Sequence, residues 1–112
     1  MQIQNKDKAV LTEILSEISF IEQSLVGLGR EMFMDDDSPI KRAVIFTLIC
    51  IGEYAKLLSE EFRETVIDMP YKQFKEFRHI ITENFSLNFN FVWDIVKNDI
   101  PIIKSKIEML LK

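Results

Sequence analysis

With 112 residues, 47% of them hydrophobic and 29% charged, the chain has room for one hydrophobic core but not readily for two, and its 3 Gly and 3 Pro exclude a loop-dominated or disordered protein. A net charge of −4 excludes a global positive field that would draw it to nucleic acid, so any contact with RNA has to use a local basic patch. Its longest nearly apolar run, Ala43 to Ile51, is about half of the ~20 residues a membrane-spanning helix needs, and Met1 to Lys8 is too polar for a secretory signal, so the expected address is cytoplasmic, with no membrane partner.

Helical periodicity governs the first segment. Val10, Leu11, Ile14, Leu15, Ile18, Ile21, Leu25 and Leu28 fall on one face at ~100° per residue, and Gly27 and Gly29 mark its end. In Asp35-Asp36-Asp37-Ser38-Pro39 the spacing predicts a helix start, with Ser38 as N-cap and Pro39 in the first turn. Three consecutive carboxylates point in different directions, so capping is preferred to metal binding there, and no metal or cofactor is expected.

The next helix places Val44, Leu48, Ile51, Ala55 and Leu58 on one face, while Ile45, Phe46 and Ile49 cover much of the rest. Such a helix either runs through the middle of a bundle or lends its second face to another subunit, and a homodimer contact is the favoured expectation. Cys50, the only cysteine, reads as a small buried hydrophobe in a reducing compartment.

Ser59-Glu60-Glu61 is expected to cap a short helix, and Asp68-Met69-Pro70 to break the chain before a helix that starts near Tyr71. Phe74, Phe77 and Ile81 form the apolar stripe expected of that helix, with Arg78 beside it and Lys72, Lys75 and His79 further round. After a polar-aromatic connection from Asn84 to Asn90, Val92, Val96, Ile103, Ile107 and Leu110 share a face. Asn98-Asp99-Ile100-Pro101 is expected to kink or restart this last helix, with Asp99 as a cap. No strand alternation competes. The predicted fold is all-α, an up-and-down bundle of four to five helices forming a single domain over 1–112.

Three segments carry a family resemblance spanning most of the chain. The first is Arg42-Ala43-Val44 followed by Leu48-Ile49-Cys50-Ile51-Gly52-Glu53-Tyr54-Ala55-Lys56-Leu57-Leu58-Ser59-Glu60-Glu61-Phe62-Arg63. The second is Met69-Pro70-Tyr71-Lys72, and the third runs from Phe89-Asn90-Phe91-Val92-Trp93 to Asp99-Ile100-Pro101. Together they resemble the HepT branch of the HEPN superfamily, small helical toxins encoded beside a nucleotidyltransferase antitoxin. The resemblance implies metal-independent RNA cleavage at a cleft between two subunits, by a motif of Arg-Asn, three residues, His, one residue and Tyr.

Here Arg78 matches the arginine, but His79 stands for the asparagine, Glu83 for the catalytic histidine, and Phe85 for the tyrosine that the partner enzyme modifies with AMP. A guanidinium stays charged and offers a fork of donors to phosphoryl oxygens, so Arg78 suits a phosphate. An ordinary Glu, with a pKa of about 4.3, is charged at neutral pH, repels the phosphate and cannot shuttle protons as an imidazole does. Phe85 has no hydroxyl to accept AMP.

Arg78 also reads as a partly buried arginine paired with a carboxylate, and Glu53 is the expected partner supporting the site. His79 reads either as a displaced catalyst meeting its copy across a dimer axis or as a solvated residue beside Lys72 and Lys75. Trp93 reads as core before it reads as a base-stacking platform. The expected function is that of a HepT-like homodimer with an impaired ribonuclease site, binding a nucleotidyltransferase-type antitoxin. The alternatives are a working ribonuclease that uses Arg78 with His79 or Glu83, and a helical scaffold.

Overall fold

The computed structural model describes residues 2–35, 38–84 and 90–112, with Glu83 and Asn84 described as backbone alone. Phe85 and the Glu83 side chain, two of the positions singled out by the motif, therefore lie outside the described residues, as do Asp36 and Asp37. The described chain is helical, with no strand among the described residues, as the periodicity predicts. Its helices are α1 (Asn5–Ser24), α2 (Arg30–Met34), α3 (Pro39–Ala55), α4 (Glu60–Thr65), α5 (Tyr71–Arg78), α6 (Ile80–Asn84), α7 (Asn90–Asp94) and α8 (Ile100–Leu110). A π-helical turn, Ile95–Asp99, joins the last two.

α3 lies between α1 and α5, and α8 closes on α1. The shortest dimension is 18 Å, about two helix diameters of ~10 Å, so the molecule is two helices thick. α3 thus buries two faces within its own bundle. Val44, Leu48 and Ile51 are fully enclosed, and Ile45 and Ala55 nearly so. They meet Leu11, Ile14 and Ile18 of α1 and Phe74 and Phe77 of α5 in one contiguous core. Of the predicted second face only part is left over. Ile49 is half-buried, while Phe46 stays 66% exposed.

Local signals set several boundaries. The Ser38 side chain accepts the backbone N–H of Lys41 at 3.5 Å with Pro39 following, and Ser59 Oγ accepts from Phe62 N at 3.1 Å. Gly27, at φ 75°, takes the left-handed conformation that ends the run after α1.

Two expectations are corrected. Asp99 makes no side-chain cap: it has helical angles (φ −80°, ψ −43°), and the π turn carries the chain straight into α8. Burial first, and Glu76 second, push its carboxyl above the ordinary range. Nor is the motif helix continuous. It stops at Arg78, and Ile80 rather than Ile81 joins the core, being 2% exposed against 50%. Trp93 is half-buried, its ring 5.2 Å from that of the enclosed Phe33, with the Lys97 ammonium 4.7 Å above it.

A contact unsuspected from the sequence fastens the two ends of the α1–α4 region. Asp7, 2% exposed, accepts the backbone N–H of Ser59 at 2.8 Å and its hydroxyl at 2.7 Å. Ser59 therefore caps α4 while donating to α1.

Candidate functional site

α5 is held at its start by the Tyr71 hydroxyl, which donates to the Val66 carbonyl at 2.6 Å. The phenol is pushed above its usual range chiefly by burial, with Arg63 pulling the other way and Asp68 and Asp7 adding to the rise, so it stays a donor. Phe74 and Phe77 pack edge to face, 6.2 Å apart at 81°, and press α5 onto α3.

The crossing point is Gly52. A Cβ there would lie 2.5 Å from the Phe74 carbonyl oxygen, 2.6 Å from Arg78 Cγ and 3.0 Å from Arg78 N. Only glycine permits this approach, and it lays the Arg78 stem across α3. The helix then ends: His79 adopts φ −112°, ψ 17°, and donates its N–H to Glu76 O at 3.1 Å, a tight turn that starts α6 on a new line. Arg78 is thereby fixed at the last position of a helix.

Arg78 lines a cleft of about 130 Å³ with Gly52, Ala55, Lys56, Arg63, Tyr71, Phe74 and Lys75. Four of these eight residues are cationic, and no carboxylate or imidazole lines the cleft among the described residues. The acidic chain thus carries the local basic patch its overall charge requires for an anionic ligand. Within it, Arg78 Nε is sealed from solvent with no hydrogen-bond partner among the described residues. A buried donor left unmade costs on the order of 1–3 kcal/mol, and an arriving oxygen acceptor would remove that cost.

Arg63 is the contributor that sequence reasoning did not single out. Its Nη2 donates to Ala55 O, the last carbonyl of α3, at 3.0 Å, and its Nε to Leu58 O in the following turn at 3.3 Å, while its guanidinium sits 5.4 Å over the Tyr71 ring. The available signal was its place at the close of the Leu58-Ser59-Glu60-Glu61-Phe62-Arg63 segment.

Glu53 does not pair with Arg78 in this structure. It points outward and meets Lys56 at 3.8 Å, and no ion pair joins it to Arg78 among the described residues. The physical reason is angular: Gly52, not Glu53, faces α5, and the neighbouring residue is turned by ~100°. His79 is half-buried just beyond the helix end and does not line the cleft.

On the far side of α3 the environment is acidic. Burial, Glu17 and Glu53 raise the Cys50 thiol above its ordinary value, and burial, Glu13 and Glu17 do the same to the Tyr54 phenol. α1 packs along α3 on this side, and Phe20 of α1 and Phe46 of α3 are both exposed. Among the described residues no three His, Cys, Asp or Glu side chains gather as a metal site, and no helix is long and apolar enough to cross a membrane.

Comparison with known proteins converges on one family. The family model for HepT-like ribonucleases matches residues 14–110. A candidate RNase of Caldanaerobacter subterraneus subsp. tengcongensis is 31% identical over 103 residues, 91% of each chain. A protein of Thermococcus cleftensis named "Probable ribonuclease HepT" is 31% identical over 109 residues, 94% of this chain and 96% of its own. A candidate RNase of Methanocaldococcus jannaschii is 33% identical over 106 residues, 94% and 90% of the two chains. No solved structure matches. With nearly its whole length matched by that model and by relatives of similar size, the chain belongs to the HepT-like ribonuclease family.

Proposed function

We propose that this protein binds RNA phosphates at the Arg78 cleft, cleaves RNA poorly, and works mainly as the binding partner of a nucleotidyltransferase-type antitoxin. The carrying observation is the lining of the cleft: Lys56, Arg63, Lys75 and Arg78 supply positive charge, and no described lining side chain is a carboxylate or an imidazole. Cations bind and polarise a phosphodiester, but cleavage through the 2′-hydroxyl also needs a base and an acid poised near neutral pH. At the motif position meant for that group the sequence has Glu83.

The acidic, partly aromatic face of Phe20, Phe46, Cys50 and Tyr54, rimmed by Glu13, Glu17 and Glu53, supports a protein contact. Its charge suits a basic partner surface. On this reading the functional unit is a cytoplasmic homodimer, and AMP transfer to position 85 does not occur because Phe85 lacks an acceptor oxygen.

Purified protein incubated with single-stranded RNA and a chelator should bind it, weakly with Arg78→Ala, and leave it essentially uncut. Metal-independent cutting that vanishes in Glu83→Ala or His79→Ala would instead establish the second reading, an active ribonuclease, which the naming of several relatives as ribonucleases favours.

A further inference from the structure

The geometry points to a terminal phosphate monoester, rather than an internal phosphodiester, as the preferred ligand of the cleft between α3, α4 and α5. This rests on Arg78 being a phosphate ligand and specifies which phosphate it takes. At about 130 Å³ the cleft falls below the roughly 300–1,000 Å³ of pockets that enclose whole small molecules, so it holds a phosphoryl group and leaves the nucleoside outside. Size alone would admit either kind of phosphate; charge separates them.

An internal phosphate of an RNA strand carries one negative charge, whereas a terminal monoester carries about −1.5 to −2 at pH 7 and presents three acceptor oxygens. Four cations line the cleft and no carboxylate does, among the described residues. Arg63 is held rigidly by its two carbonyl partners and the Tyr71 ring, so its charge is present before any ligand arrives. The Arg78 guanidinium makes no hydrogen bond to a described residue, and its Nε is the orphan donor.

Lys75 is exposed, and among the described residues Lys56 is paired with the exposed Glu53 alone, at 3.8 Å, a pairing worth little and readily exchanged for an arriving oxyanion. Four lining cations leave an excess of about three positive charges over a diester and about two over a dianion, so the dianion neutralises the cleft more fully. The ligand is therefore an RNA end bearing a 5′- or 3′-phosphate, or a free phosphate monoester of the same chemistry.

The test measures binding of the whole protein to three short oligoribonucleotides of one sequence, ending in 5′-phosphate, 3′-phosphate or hydroxyls at both ends, by fluorescence anisotropy at fixed ionic strength. Ribose 5-phosphate competes as the free monoester. The expected result is about tenfold or more tighter binding of at least one phosphorylated end, from the extra charge in a partly screened site. Competition by ribose 5-phosphate identifies the monoester itself as the recognised group, and a preference it cannot compete away assigns recognition to an end-phosphorylated strand.

Lys75→Ala and Lys56→Ala should each shrink the preference, and the double variant should bring it within about twofold, while Lys6→Ala on α1 leaves it intact. Far-UV circular dichroism shows whether each variant is folded. Equal affinity for all three RNAs, still weakened by Arg78→Ala, overturns the monoester inference and leaves the RNA-binding reading standing. Absence of binding to any of them overturns both.

Discussion

Gly52→Ala is the most informative single change, because two opposing effects meet at that one position. Alanine is better than glycine inside a helix by about 1 kcal/mol, so a free surface of α3 would gain stability. At Gly52, however, the new methyl would meet the Phe74 carbonyl oxygen at 2.5 Å and Arg78 N at 3.0 Å, both backbone atoms that no rotamer change can move. Restoring an ordinary contact of roughly 3.4 Å to the carbonyl parts α3 from α5 by about 0.9 Å.

Overpacking of this kind costs typically 1–3 kcal/mol, and a backbone clash belongs at or above the upper end, so the net loss is about 2 kcal/mol. At roughly 4 °C per kcal/mol for a chain near 100 residues, thermal unfolding followed by circular dichroism should fall by about 8 °C. RNA affinity measured well below that transition should also fall, since the displaced helix carries Arg78. A variant that melts at the wild-type temperature or above would refute the close approach, and with it the account of how Arg78 is placed.

Asp7→Ala removes the acceptor of two Ser59 bonds and strands a part-buried N–H, so the urea midpoint should drop by the equivalent of about 2 kcal/mol with an unchanged slope; a loss under about 0.5 kcal/mol would refute the clasp. Asp99→Asn should raise the urea midpoint at pH 7. Its folded carboxyl titrates above the unfolded value, so the native state holds the proton more tightly and stability falls as pH rises through that window; the gain should vanish at about pH 3, below the ordinary carboxylate range, and a lower midpoint at pH 7 contradicts the assignment. Alkylation of Cys50 by iodoacetamide should keep accelerating with pH beyond the normal thiol range, because a raised pKa means less thiolate at any given pH; a midpoint below that range would be inconsistent with burial beside Glu17 and Glu53. Restoring Glu83→His together with Phe85→Tyr should yield chelator-resistant RNA cleavage, and silence in that assay would mean that more than these two positions separates the site from an active one.

What could be read from the sequence is what depends on neighbours along the chain. Ser38 with Pro39, and Ser59 three residues before Phe62, announce helix starts because a cap bonds within its own first turn. The apolar stripes of α1 and α3 were visible because burial repeats with the helical period. The end of α5 at Arg78 was not visible: no glycine or proline stands there, and the preference for Ile80 over Ile81 is set by the space beneath α6. The absence of the expected Glu53–Arg78 pair among the described residues has the same root, since whether Gly52 or Glu53 faces α5 depends on the rotation of α3 about its own axis. Arg63 and Asp7 act on residues brought close by the fold, one capping the helix behind it and the other reaching 52 positions along the chain.

That last contact bears on the order of assembly. The Asp7–Ser59 clasp spans 52 positions and closes a long loop, so it is expected to form late, on the native side of the folding barrier. Weakening it should leave the refolding arm of a chevron nearly untouched and speed escape from the native state, making the first turn of α1 a latch on the lifetime of the fold.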